Sequence, residues 1–211
     1  MPMLLNLSSL ARVVFLLEVV AWFIVAPRTF GQRPNATPTV LTGPSDWRFE
    51  RLPIPPGFAP DIRWTGFEEA RFAPGMFAPG STNYFTYVLA ITVDGTAPVT
   101  VVDLKEFLEK YYRGLSVNVG RRKGLMPDVA QISAAVTVAK AETETAGKFE
   151  ATIPYFDTFN DGRKILLHVE IVVLRKAAAK QTRLVMLISP QPTAAPVWKQ
   201  LRSIGRTAEE K

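Results

Sequence analysis

The sequence predicts an α+β fold: a curved antiparallel sheet of four to five strands packed on one long helix, with a proline- and aromatic-rich N-terminal arm and a short C-terminal helix. Three observations carry that reading. Val101 to Leu115 keeps apolar side chains at three- and four-residue spacing. Five runs further along or just before it read as strands, some by alternating apolar and polar residues and others as short apolar runs. Residues 46–80 combine many prolines with many aromatic rings, which neither a helix nor a disordered tail does.

The helix comes first because it is the most explicit. Thr100 opens it and Asp103 follows three residues on, a capping box with Asp in place of the longer Glu. Val101, Leu104, Phe107, Leu108, Tyr111 and Leu115 form a stripe facing a core. Glu106–Lys110 and Glu109–Arg113 are i,i+4 pairs on the wet side. Gly114 is expected to end the helix.

Tyr84–Val93 reads as a strand with Phe85, Tyr87, Leu89, Ile91 and Val93 on one side, closing in an Asp94-Gly95 turn. Ala130–Val138, Lys148–Phe156, Lys164–Leu174 and Thr182–Ser189 then predict a four-strand meander. Asn160-Asp161-Gly162 suits a three-residue hairpin that pairs Tyr155 with Leu167 and sets His168 opposite Pro154. A two-residue loop would mix the faces. Thr193 is expected to cap a short helix with Pro196 in its first turn and Val197, Trp198, Leu201 and Ile204 inward. A sheet curled around Val101–Leu115 resembles the cystatin and NTF2-like rolls in architecture, a likeness that carries no function with it.

Ten of the 17 prolines lie between Pro27 and Pro79, which discourages both helix and central strand. The same stretch holds Trp47, Phe49, Phe58, Trp64, Phe67, Phe72 and Phe77, and rings in such number must be buried against something. Residues 32–45 are therefore read as a flexible linker and 46–80 as a cover strapped across a roll of residues 83–205. The two make one domain, 46–205, followed by a polar tail, 206–211. Tandem pentads, Phe72-Ala73-Pro74-Gly75-Met76 and Phe77-Ala78-Pro79-Gly80-Ser81, each predict a type II turn at Pro-Gly.

Residues 1–31 read as a signal peptide or a membrane anchor. Val13–Ala26 is a 14-residue apolar run, inside the range of a signal's apolar segment and short of a spanning helix. Thr29-Phe30-Gly31 places cleavage after Gly31, with a mature start at Gln32. Glu18 within the run and Arg28 after it are unusual for a signal, and joining the run to Leu4–Leu10 gives a single uncleaved anchor instead. Either way the domain is expected outside the cytoplasm, periplasmic or secreted, or held at the cytoplasmic membrane by residues 13–26. The chain has no cysteine, which excludes disulfides, lipid attachment through Cys and thiol catalysis. Its net charge of +6 becomes +5 when Arg12, Glu18 and Arg28 leave with the first 31 residues. No basic helical stripe with aromatics between its charges is present, so nucleic acid is not an expected partner.

His168 and Glu170, two apart on a strand, point to one face. A carboxylate beside imidazole suits general acid–base work, and Glu69 joins them as a third candidate for hydrolase-type chemistry. No nucleophile motif accompanies them. One His with one carboxylate is too few ligands for zinc, so no metal and no cofactor is expected. The adjacent Glu68 and Glu69 point to opposite sides of an extended chain. The better lead is the arm: Trp64, Phe72, Phe77 and Tyr84 as flat contacts, with Arg71 orienting a ligand. The same rings also suit the plainer task of filling the joint between arm and sheet. The sequence thus points to an exported, non-enzymatic binding or interaction module for a small molecule, glycan or envelope protein, its site where residues 64–81 meet the sheet. The alternative is a hydrolase-type envelope enzyme using Glu69, His168 and Glu170. A homodimer is a further expectation, through the second sheet face, where Val172 and Leu174 lie beside charge.

Overall fold

Thr100 and Asp103 close the expected capping box, Thr100 Oγ1 accepting from Asp103 N at 3.2 Å and Asp103 Oδ2 accepting from Thr100 N at 2.9 Å. In the computed structural model, which describes residues 38–140 and 146–211, the helix so opened is α1, Val101–Arg122. It does not stop at Gly114. A Cβ at that position would lie 2.2 Å from the backbone oxygen of Phe58, so the glycine marks a close approach of the chain, not a helix end. The export-signal and anchor readings fall on residues outside those described.

Among the described residues seven strands, not four or five, make the sheet: β1 (Arg48–Ile54), β2 (Gly66–Phe72), β3 (Tyr87–Asp94), β4 (Ala135–Lys140), β5 (Ala146–Phe156), β6 (Lys164–Lys176) and β7 (Gln181–Ser189). Their order is β1-β2-β3-β7-β6-β5-β4, antiparallel throughout. The chain builds β1-β2-β3, crosses by α1 to the far edge, and returns as the expected meander until β7 meets β3. A second helix, α2, spans Val197–Glu209.

The arm is therefore no cover. It adds β1 and β2 to the sheet, and its prolines explain where: Pro53 lies in β1, an edge strand, where a missing N–H costs no ladder bond. Residues 39–45, inside the expected linker, are not loose either, since Val40 and Leu41 are buried. Of the two Pro-Gly turns, Gly75 has φ +83° and Met76 N donates to Ala73 O at 3.0 Å, a type II turn. Gly80 lacks positive φ, although Ser81 N still donates to Ala78 O at 2.9 Å.

Both faces of the sheet are covered at its centre. On one face Leu104, Phe107, Leu108, Tyr111 and Tyr112 of α1 meet the row Ala70, Leu89, Met186, Ile171 and Phe149, contributed by five consecutive strands. On the other, Trp198, Leu201, Ile204 and Ala208 of α2 cover Val88, Ala90, Val185 and Leu187, with Val40, Leu41 and Trp47 beside them. Strand β3, read as alternating, is buried on both sides for that reason.

The β5–β6 register differs from the expected one by two residues: Tyr155 pairs with Ile165 and His168 with Thr152. A two-residue slip keeps every side chain on its face, so face matching does not detect it. The connection is longer than three residues because Asp157 N donates to Arg163 O at 2.9 Å and Asp157 itself is buried as the loop's organiser. Thr193 does not cap α2. The helix starts at Val197 behind Pro196 with no side-chain cap, and Thr193 O instead accepts from Arg202. Ala130–Val138 becomes a 3₁₀ turn at Val129–Gln131 followed by the shorter β4.

Candidate functional site

The arm's rings divide into two sets. Phe72 and Phe77 lie 6.4 Å apart, Phe72 is 5.8 Å from Tyr87, and Phe77 is 5.3 Å from Phe159. Phe85, fully buried and at φ +50°, sits among Tyr84, Tyr87, Tyr155 and Phe159. Tyr84 is buried and donates its hydroxyl to Asp157 Oδ2 at 2.5 Å, and desolvation with that acceptor raises its pKa. This set is a core of edge-to-face and tilted ring contacts. Trp64 stands apart, at the other end of β2, roughly 20 Å away by strand rise. It stacks on Phe107 at 4.8 Å and 21°.

Arg71 turns away from both sets. Alternation along β2 puts it on the α2 face, where Nε donates to Leu41 O at 3.2 Å and Nη1 to Trp47 O at 3.0 Å, with the guanidinium over the Phe49 ring. Its task in this geometry is to tie down residues 41–47. The five residues proposed from sequence are thus in three places.

Beside Trp64 the surface opens into a cleft of about 200 Å³. It lies between the start of α1 and the β3 and β7 ends, which the Asp94-Gly95 turn and the strand beginning at Gln181 bring together. Val93, Val99 and Trp64 supply apolar surface, and Arg63, Asp94, Asp103 and Thr182 supply the polar lining. Thr65 Oγ1 donates to Asp94 Oδ2 at 3.0 Å, and Thr182 Oγ1 donates to Gly95 O at 3.0 Å. Arg63 reaches across to Glu106 at 2.7 Å and Asp103 at 3.4 Å. The cap bonds from Thr100 hold the Asp103 pKa down. Only Trp64 of this group was marked in the sequence. Asp103 sits in a helix cap, Gly95 in a turn, and Val93 and Thr182 in strands, where such residues have ordinary structural uses.

The three acid–base candidates do not converge. Glu69 is fully buried beneath residues 39–41, its Oε2 accepting Val40 N and Leu41 N at 2.8 Å each and its Oε1 lying 3.7 Å from Arg51. Glu170 is gripped through both oxygens by Arg202, at 3.0 and 2.6 Å. His168 lies between Thr152 and Ser189 in the ladder. Three strand spacings and the offset along β6 separate it from Glu69 by roughly 15–20 Å.

A carboxyl not singled out for chemistry is the most perturbed. Glu68, on the α1 face between Leu52 and Ile91, is 2% exposed and takes one hydrogen bond, from Tyr111 OH at 3.1 Å. Its Oε2 has no partner. Burial pushes its pKa up to about 8, against the lowering effect of Tyr111. Glu68 is closed off from solvent in this way, so its consequence is for stability. Among the described residues no cluster of three or more His, Asp or Glu side chains is placed to hold a metal ion, and no helix is long and apolar enough to cross a membrane.

No protein-family model, no curated protein and no solved structure matches this chain.

Proposed function

We propose that the protein is an exported, non-enzymatic binding module whose contact site is the cleft beside Trp64. The observation that carries this reading is the cleft's make-up: an indole and two valines meeting Arg63, Asp94, Asp103 and Thr182 in one concave surface. An apolar lining with a few convergent polar groups is the general form of a recognition site. At about 200 Å³ it is smaller than the roughly 300–1,000 Å³ of drug-sized sites, so it suits one side chain or one small ring carried by a larger partner. Export rests on the apolar run at 13–26.

Binding is read by amide NMR on the protein with a panel of N-acetyl amino-acid amides and monosaccharides as probes. The expected result is saturable shifts at residues 93–99 and 182 with at least one probe. Ala97→Trp, an exposed position in the cleft wall, fills the space and removes them. If no probe moves these amides at millimolar concentration, the cleft is not a recognition site.

The hydrolase reading has no supporting geometry, because no single substrate atom can meet Glu69, His168 and Glu170 at once.

A further inference from the structure

The sheet has two edges, and they differ in kind. Edge strand β1 carries Arg48, Arg51 and Pro53, with cis Pro55 just beyond it, the charges and prolines by which proteins keep edges from pairing. Edge strand β4 runs Ala135-Val136-Thr137-Val138-Ala139 without charge or proline before its one charged residue, Lys140, at the strand end, and its Val138 is 53% exposed. Ala135, Thr137 and Ala139 are exposed as well. An edge strand presents a row of backbone N–H and C=O groups that water can satisfy and that a second strand can pair with along its length.

The sequence of β4 complements itself. Antiparallel partners share a face, so a two-fold axis must pass through a residue and not between two. With the axis at Thr137, Val136 of one copy meets Val138 of the other, twice, on the face that carries α1. On the other face Thr137 meets itself, and the regular alternation ends at Val138. Each of these contacts is apolar or hydroxyl to hydroxyl, and none sets like charges opposite. The same operation on β1 about its centre, Arg51, would set two guanidinium groups face to face. The irregularity between Val138 and Lys140 keeps this ladder short, centred on residues 136–138.

We propose that β4 is a homodimer interface: two copies of this chain pair antiparallel about Thr137, joining two seven-stranded sheets into one of fourteen. This surface is separate from the Trp64 cleft and does not depend on it. A closed two-fold pairing also uses up an edge that would otherwise template open-ended association.

The test is charge exchange on the axis, using the full chain expressed with its N-terminal segment and purified as the cell processes it. Sedimentation equilibrium of the unaltered protein is expected to show a dimer at micromolar to hundred-micromolar concentration. Thr137→Lys and Thr137→Glu, each at an exposed position, are expected to weaken self-association at least tenfold. An equimolar mixture of the two restores it as a heterodimer, which a merely damaged fold does not do. Leu166→Arg, on the open part of the second sheet face, leaves the dimer unchanged. A monomeric parent protein overturns the proposal. So does a dimer indifferent to charge at position 137, or one broken by Leu166→Arg.

Discussion

Replacing Glu68 by glutamine isolates the cost of one buried carboxyl. In the folded protein its pKa is about 8, against 4.5 for the free side chain. Below pH 4.5 both folded and unfolded chains hold the proton, and the group has no pH-dependent effect. As pH rises from 4.5 the unfolded chain releases its proton while the folded one keeps it, so folding stability falls. The fall is complete only above pH 8, where both states are ionised. A difference of about 3.5 pH units at 1.36 kcal/mol each sets a ceiling of about 5 kcal/mol, with most of it developed by pH 8. Glutamine keeps an acceptor for Tyr111 OH, now 3.1 Å from Oε1, and cannot ionise. Glu68→Gln is therefore expected to match the parent near pH 4.5 and to exceed it by about 3–4 kcal/mol at pH 8. Urea denaturation of the two proteins at half-unit intervals from pH 4.5 to 8.5 gives the difference directly, since all other titrating groups cancel. A constant difference across that range would show that Glu68 is hydrated and ordinary, and the argument from burial would be wrong.

Two further substitutions test the packing. Gly114→Ala puts a methyl group where the Phe58 carbonyl lies, 2.2 Å from the added carbon. The overpacking cost of about 1–3 kcal/mol outweighs a helix-propensity gain of about 1 kcal/mol, and a more stable variant in thermal melts would refute the close approach. Glu69→Ala strips the shared acceptor from Val40 N and Leu41 N, both now buried. A loss of about 3 kcal/mol is expected, with faster amide hydrogen exchange at residues 40 and 41. Unchanged exchange there would show that the carboxylate does not hold this segment.

What could be read in advance follows from which signals are local. The α1 cap, its core stripe and the four-strand meander were legible because each lies within one stretch of chain. Strand β2 was not. Its Gly-Phe-Glu-Glu-Ala-Arg-Phe carries charge on both faces, and only tertiary structure shows why: Glu68 goes under α1 and Glu69 under residues 39–41. Strand β1 was hidden by Pro53 and the prolines just after it, which forbid the centre of a sheet but not its rim. Gly114 gave a stop signal whose true origin is a carbonyl 56 residues upstream, at Phe58. In the candidate site, Trp64 was visible as an aromatic, while the turn and cap residues facing it became partners only once β3, β7 and α1 met.

All five tyrosines are buried. The hydroxyls of Tyr87 and Tyr112 meet at 2.5 Å, burial holds both above the ordinary phenol range, and Tyr155 is pushed up to about 12. Reagents that attack phenol rings, such as iodine or tetranitromethane, therefore find no ready target while the chain is intact. In strong alkali the ultraviolet signature of phenolate emerges only as fast as the molecule comes apart, which makes its absorbance a clock for that event.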